Sequence, residues 1–365
     1  MRETSGAMLY VYSLFKTASP RWGAWTRARS VIGLAALLIS AVPASAQNQT
    51  DAPIKVQTTL VSVPVIVSDR AGRYISGLKL ENFKLYQDRL EQRIAIFDAA
   101  EEPLNIALLL DTSRSTSRVL DDIKKDAGNF LKELRPQDRA MVVSFDYDVH
   151  LLCALTSDRK AVEKAIKNAE IGERLGTTLR SAVDEVIEHQ FKRVDGRKAI
   201  ILLTDGKDHG SQVSEEELLD EATESGAMIY SVFFETGFER QGWNRPFGRR
   251  GRGGWGRRFP PNDRPRGEGP RRERVEIRNE DAMDFLTKLS EVSAGRFYNS
   301  KISDLKNTFR LVAEELRHQY RLGFYPDVSK ADGQRHTLRV EVNAPDAVVR
   351  ARRSYQAASF TSGSG

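Results

Sequence analysis

Two uninterrupted apolar runs, 106–110 (IALLL) and 199–204 (AIILLT), constrain the fold more than any other feature. A strand with one face in water alternates apolar and polar residues. A run without that alternation belongs to a sheet covered on both faces. Helical spacing lies between the runs and after them. Val119, Leu120, Ile123, Ala127, Phe130, Leu131 and Leu134 recur on one helical face, as do Leu179, Ala182, Val183, Val186 and Ile187. A short helix is predicted at 158–169, and Ser214 with Glu217 forms a capping box that opens another. Segments 140–149 and 150–156 read as a strand pair, and 227–235 as a further strand. Strands alternating with helices predict an α/β class: a doubly wound, mostly parallel sheet, Rossmann-like in layout.

The flanks read differently. In 61–68, Val61, Val63, Val65 and Val67 alternate with Ser62, Pro64, Ile66 and Ser68, a period of two. Strands are also expected around Phe83, Leu85 and Tyr86, around Ile94 to Phe97, and at 320–325, 336–342 and 348–355. The economical expectation is a small accessory β domain built from both flanks. The predicted organisation is 54–99 as an N-terminal β segment, 104–318 as the α/β body, 319–357 as a C-terminal β segment and 358–365 as a disordered tail. Helices are expected again from Phe285 and over 305–316.

Charge is unevenly spread. The chain carries +6, but residues 240–278 alone hold thirteen arginines against four acids, and residues 1–46 add a net +4. The rest is therefore acidic, and the high isoelectric point is not a general nucleic-acid-binding signature. Residues 238–280 read as an Arg/Gly-rich insertion without periodicity, in which Arg249, Arg250, Arg252, Trp255, Arg257 and Arg258 are the candidate partner-binding residues for an anionic envelope surface. No nucleic acid is expected. Residues 1–46 have the layout of a signal peptide: a basic start, an apolar run at 31–42 too short to span a bilayer, and Ala44-Ser45-Ala46. Export to the periplasm or cell envelope follows as an expectation, with no transmembrane span in the mature chain. Cys153 is the single cysteine, so an intramolecular disulfide, a Cys-rich zinc site and a CxxC centre are excluded; it is expected as a packed core thiol.

The chemistry gathers where the apolar runs end. Asp111 closes the first run and is followed by Ser113 and Ser115; Asp205 closes the second; Thr177 lies on a loop before a helix. Open α/β sheets hold ligands at the carboxyl ends of their strands. Two carboxylates and three hydroxyls are all oxygen donors, which suits Mg²⁺, Mn²⁺ or Ca²⁺ better than zinc. An Asp in that place also serves as a helix N-cap, so single residues leave both readings open. Asp146 and Asp148 read as solvated turn acids, and His209 as a surface loop residue.

Taken in order, DTSRS (111–115), GTTLRSAV (176–183) and TDG (204–206) resemble the von Willebrand factor A domain and its metal-ion-dependent adhesion site (MIDAS). The stretch RPQDRAMVVSFDYDV is similar to the second strand of that family. Leu175 replaces one of two glycines common in the Thr-bearing loop, a departure that bears on loop flexibility more than on ligands. The flanking strands resemble those of bacterial secreted VWFA-related proteins. The resemblance implies that Ser113, Ser115 and Thr177 coordinate the metal directly, that Asp111 and Asp205 act mainly through water, and that a carboxylate of a protein or glycan partner completes the site. The expected function is therefore an exported binding protein and not an enzyme. The alternative is a structural envelope scaffold with a non-functional metal site, binding through the basic insertion.

Overall fold

The structure is a computed structural model that describes residues 60–99, 102–236, 270–327 and 333–357, with the backbone alone over 270–278. The stretch 1–46, the six candidate residues from Arg249 to Arg258, and the tail 358–365 lie outside the described residues.

In chain order the strands are β1 (Val61–Ser68), β2 (Phe83–Gln87), β3 (Leu90–Gln92), β4 (Ile96–Asp98), β5 (Leu104–Asp111), β6 (Arg139–Phe145), β7 (Val149–Thr156), β8 (Arg197–Thr204), β9 (Ala227–Phe233), β10 (Arg296–Asn299), β11 (Gln319–Phe324), β12 (Arg335–Val342), β13 (Val348–Ala351) and β14 (Ser354–Gln356). The α-helices are α1 (Leu120–Phe130), α2 (Arg159–Lys167), α3 (Leu179–Asp184), α4 (Glu215–Glu224), α5 (Pro270–Val292) and α6 (Leu305–Leu316). A π-helical segment, Glu185–Phe191, continues α3.

The two apolar runs are the neighbouring centre strands of one sheet. β5 and β8 pair in parallel from Leu104↔Arg197 to Leu110↔Leu203, and every residue of β5 is buried. The order is β10-β9-β8-β5-β6-β7, with only β7 antiparallel. One face is covered by α1, α2 and α6, which contribute Ile123, Phe130, Val162, Phe309 and Val312. The other takes α3, α4 and α5, through Leu179, Val183, Leu218, Leu286 and Leu289. Burial on both faces is why the runs lack polar interruptions. Helix ends follow local chemistry. Asp158 accepts from Lys160 N–H and Ala161 N–H to cap α2, and Ser214 with Glu217 forms the expected capping box on α4.

The flanking strands form two four-stranded sheets, β13-β1-β11-β4 and β14-β12-β2-β3. Each draws strands from both ends of the described chain, and their inner faces share a core of Val63, Val65, Leu85, Tyr320, Phe324 and Tyr355. This β unit sits against the amino-terminal ends of the central strands. Ser62 lies against Gly226, which precedes β9, and buried Arg352 donates to the Thr223 carbonyl at the end of α4. Arg197, at the start of β8, donates to the carbonyls of Glu102 and Leu316. Asp111 is at the far end of β5, so the candidate metal face and the β unit occupy opposite edges of the sheet.

Three expectations are corrected. Helix α5 begins at Pro270, inside the segment expected to be aperiodic through residue 280. The β6–β7 turn falls at 146–148, because Asp146 folds back on the Asp148 backbone. Cys153 is half-buried on the antiparallel edge strand, so it packs against the core and not within it; its partial burial raises the thiol pKa.

Packing of α4 against α3 brings Glu221 beside Asp184 at the end of α3, with Glu188 of the π-helical segment nearby. Burial first, and then these carboxylates, push Glu221 up to about 7. A carboxyl whose folded pKa is raised costs stability above that pKa, and costs nothing once the unfolded chain is also protonated. Between pH 8 and pH 5 the native protein should therefore gain stability from this group. Glu221→Gln should raise the melting temperature at pH 8, with the difference shrinking toward pH 5. Equal differences at both pH values would refute the assignment.

Candidate metal centre

Asp111 is fully buried at the end of β5. Its Oδ1 accepts from the Ser113 backbone N–H at 3.0 Å, and its Oδ2 accepts from Thr204 Oγ1 at 2.8 Å. The carboxylate is thus held by the two centre strands. Burial first, and the nearby Asp205 carboxylate second, push Asp111 up to about 7, against hydrogen bonds from Ser113 and Thr204 that favour the anion. Two acids share an edge that disfavours charging both.

Ser113 follows in the turn, nearly buried, with its hydroxyl 3.0 Å from that of Ser115. Thr116 fixes the turn by sharing its one O–H between the carbonyls of Asp111 and Ser113, 2.9 and 2.8 Å from Oγ1. Thr177 is buried on the loop before α3, its carbonyl accepting from His209 N–H at 2.9 Å. Asp205 follows β8. Its Oδ2 accepts from Lys207 Nζ at 2.7 Å and from Thr236 Oγ1 at 3.3 Å. The structure therefore brings the turn after β5, the loop before α3 and the end of β8 to one edge. Among the described residues no three His, Cys, Asp or Glu side chains are grouped to hold a metal, so hydroxyls are needed to complete any donor set here.

Asp146 is the clearest departure from the sequence reading. It is buried, with Oδ2 facing Thr112 Oγ1 and His150 Nε2, each at 3.4 Å, and its carbonyl accepting from Thr178 N–H at 2.8 Å. It ties the turn after β5 to the loop that carries Thr177. Gly172 makes room for it: a Cβ there would stand 2.3 Å from Asp146 Cγ. Asp148 is the solvated acid expected, paired with Arg174 at 3.1 Å, and His209 is exposed. Asp208 has a structural role, accepting from the Arg180 N–H in the first turn of α3 at 3.0 Å. Thr204, Lys207 and Thr236 were missed. The first two adjoin Asp205 in TDGK, where sequence proximity is the available signal; Thr236 has none.

The segment after β9 leaves beside this edge. Phe234 N–H donates to the Thr204 carbonyl, Thr236 meets Asp205, and on the return Ala282 of α5 closes against Gly206.

Residues 105–245 match the model of the von Willebrand factor type A domain. This part of the chain belongs to that family. Domains of this family, VWA domains, commonly serve adhesion or protein binding, and often hold a divalent metal at a MIDAS. No curated protein matches the chain. Among solved structures it is similar to mussel byssus proximal thread matrix protein 1 (PTMP1) with a zinc-occupied MIDAS motif, at 16% identity and TM-score 0.38, covering 58% of this chain and 47% of that one. It thus spans about half the length of that relative. BatB from Bacteroides thetaiotaomicron is similar at 19% identity and TM-score 0.41, covering 59% of this chain and 97% of its own. The vWF domain of the type V pili tip protein Mfa5 from Porphyromonas gingivalis is similar at 12% identity and TM-score 0.41, covering 58% and 94%. Among the described residues no helix is long and apolar enough to cross a membrane.

Proposed function

We propose that the VWA domain binds a divalent cation through Ser113, Ser115 and Thr177, with Asp111 and Asp205 supporting it, and presents that cation to a carboxylate of a partner. The observation that carries this reading is buried Asp111 at the end of β5: a carboxylate whose charging is opposed first by burial and then by neighbouring Asp205, beside neutral hydroxyl donors. A cation offsets that cost, and the oxygen-only donor set fits a hard ion. Bound there, the metal supplies an electrophilic position for an incoming carboxylate. The chain's own residues hold it and keep the donors oriented, through Thr204, Thr116 and Asp146. The role is binding and not catalysis, in an exported protein of the cell envelope, as the leader-like 1–46 suggests.

Thermal unfolding of the full chain with EDTA, Mg²⁺, Mn²⁺, Ca²⁺ or Zn²⁺ tests this. An ion at a hundred times its dissociation constant should stabilise by about 2.7 kcal/mol. Asp111→Ala should abolish the rise. No rise with any ion would reject the metal reading.

One observation favours a metal-free scaffold instead. Lys207 already pairs with Asp205 at 2.7 Å, and its side chain is about three-quarters buried, at 27% exposure. If the site is a metal site, that ammonium competes with the ion. Lys207→Met should then tighten divalent binding about tenfold, equivalent to ~1.4 kcal/mol, in calorimetric titration. A scaffold predicts no binding in either protein.

A further inference from the structure

Leu175 is the most exposed large apolar side chain among the described residues, at 74%. It is two residues from Thr177, which limits the separation of their Cα atoms to about 7 Å. Such a side chain beside a polar site is either a loose tip or a displayed contact. The surroundings show a loop held on both sides. Arg114, between the two site serines, donates to the Glu173 carbonyl at 2.5 Å. The Arg174 guanidinium lies 3.4 Å above the Tyr147 ring and pairs with Asp148 at 3.1 Å. Tyr147 in turn lies across Gly176, where a Cβ would be 2.8 Å from Tyr147 Cδ2 and φ is +145°. The Leu175 side chain is therefore carried on an anchored backbone, next to a Tyr147 that is itself 40% exposed.

We propose that Tyr147, Arg174 and Leu175 form a specificity rim that selects acidic peptide segments with an apolar side chain adjacent to the metal-bound Asp or Glu. The inference rests on the metal–carboxylate reading above. An Asp or Glu held at the Thr177 side of the edge sets its neighbours about 3.3–3.6 Å further along an extended chain, within reach of Leu175 and Tyr147. Charge complementarity fixes the rest of the segment. Arg114 is exposed, and the Arg174 side chain remains 58% exposed despite its pairing, so both face the ligand with unspent N–H donors. A glycan supplies carboxylates but no aliphatic side chain, so the isolated leucine favours a peptide.

The test is a synthetic array of decapeptides, each with one central Asp or Glu flanked by Gly, Leu or Phe. The full chain is probed in millimolar Mg²⁺ and in EDTA. The expected result is retention of Leu- and Phe-flanked peptides about fivefold above Gly-flanked ones, in Mg²⁺ only. Leu175→Ser should lose that preference while keeping both the Mg²⁺ thermal shift and the retention of Gly-flanked acidic peptides. Equal Mg²⁺-dependent retention of all acidic peptides would overturn the rim and leave the metal reading standing, as would a preference that survives in Leu175→Ser. No Mg²⁺-dependent retention of any acidic peptide would overturn both the rim and the carboxylate partner.

Discussion

A Glu315→Ala protein is expected to lose about 3 kcal/mol of stability, the low end of the cost of removing one partner from a buried ion pair, because the arginines left behind are partly exposed. Glu315, near the end of α6, is completely buried. Its Oε2 accepts from Tyr74 Oη at 3.0 Å and faces Arg296 Nε at 3.1 Å, while Oε1 is paired with Arg350. These partners come from three places: the loop after β1, the start of β10, and β13 of the β unit. One carboxylate therefore joins the α/β body to both flanks, and it raises the pKa of buried Tyr230 as well, after burial itself. Alanine leaves the partly exposed Arg296 and Arg350 without their carboxylate and the Tyr74 hydroxyl without its acceptor. Glu315→Gln keeps the shape and removes the charge, so its loss should be smaller but clear. Urea unfolding followed by circular dichroism gives both values. A loss under ~1 kcal/mol for the alanine variant would show that solvent replaces the carboxylate without penalty.

Gly295→Ala should be more damaging still. A Cβ on Gly295 would lie 1.9 Å from the Ile229 carbonyl oxygen and 2.8 Å from its nitrogen. These are backbone atoms in the middle of β9, so no side-chain rotation relieves the overlap. Either β9 shifts out of register with β8, or the turn between α5 and β10 moves. The expected loss exceeds ~4 kcal/mol, a range reserved for such mechanisms. The neighbouring residue gives a control of opposite sign. Ala294 holds φ +62°, a conformation costly for a residue with a Cβ. Ala294→Gly should be neutral or stabilising, by up to about 1 kcal/mol, offset by the greater freedom of its unfolded chain. Similar destabilisation by both changes would argue against a specific overlap at residue 295.

Much of this fold was legible because burial on two faces leaves a plain mark in a strand. The runs at 106–110 and 199–204 located β5 and β8, and oxygen-bearing residues at their ends located the candidate site. The same logic fails for polar residues buried by long-range partners. Asp146 and Asp148 look alike in FDYD, yet one is enclosed by Thr112, His150 and Thr178 while the other pairs with Arg174 in solvent. Glu314 and Glu315 are adjacent in α6, and only the second turns inward, one position from the Leu316 that marks the buried face. The start of α5 was hidden for a different reason. Arg and Gly in 238–280 carry no apolar period, so nothing in that stretch distinguishes a helix from an aperiodic segment.

The interleaving of the flanks also bears on how the chain reaches its native state during synthesis. β1 pairs with β11 and β13, so its partners leave the ribosome roughly 250 to 290 residues later. The α/β body, whose strands pair mostly with near neighbours in sequence, has its components available first. Until residue 351 emerges, β1 exposes an apolar, unpaired edge of the kind that recruits foreign strands. Completion of the β unit is thus a late, long-loop closure, and chains cut short within β12 to β14 should be aggregation-prone even when the VWA domain is intact. The last few strands thus act as a late check: only when β13 has emerged is β1 covered along both of its edges.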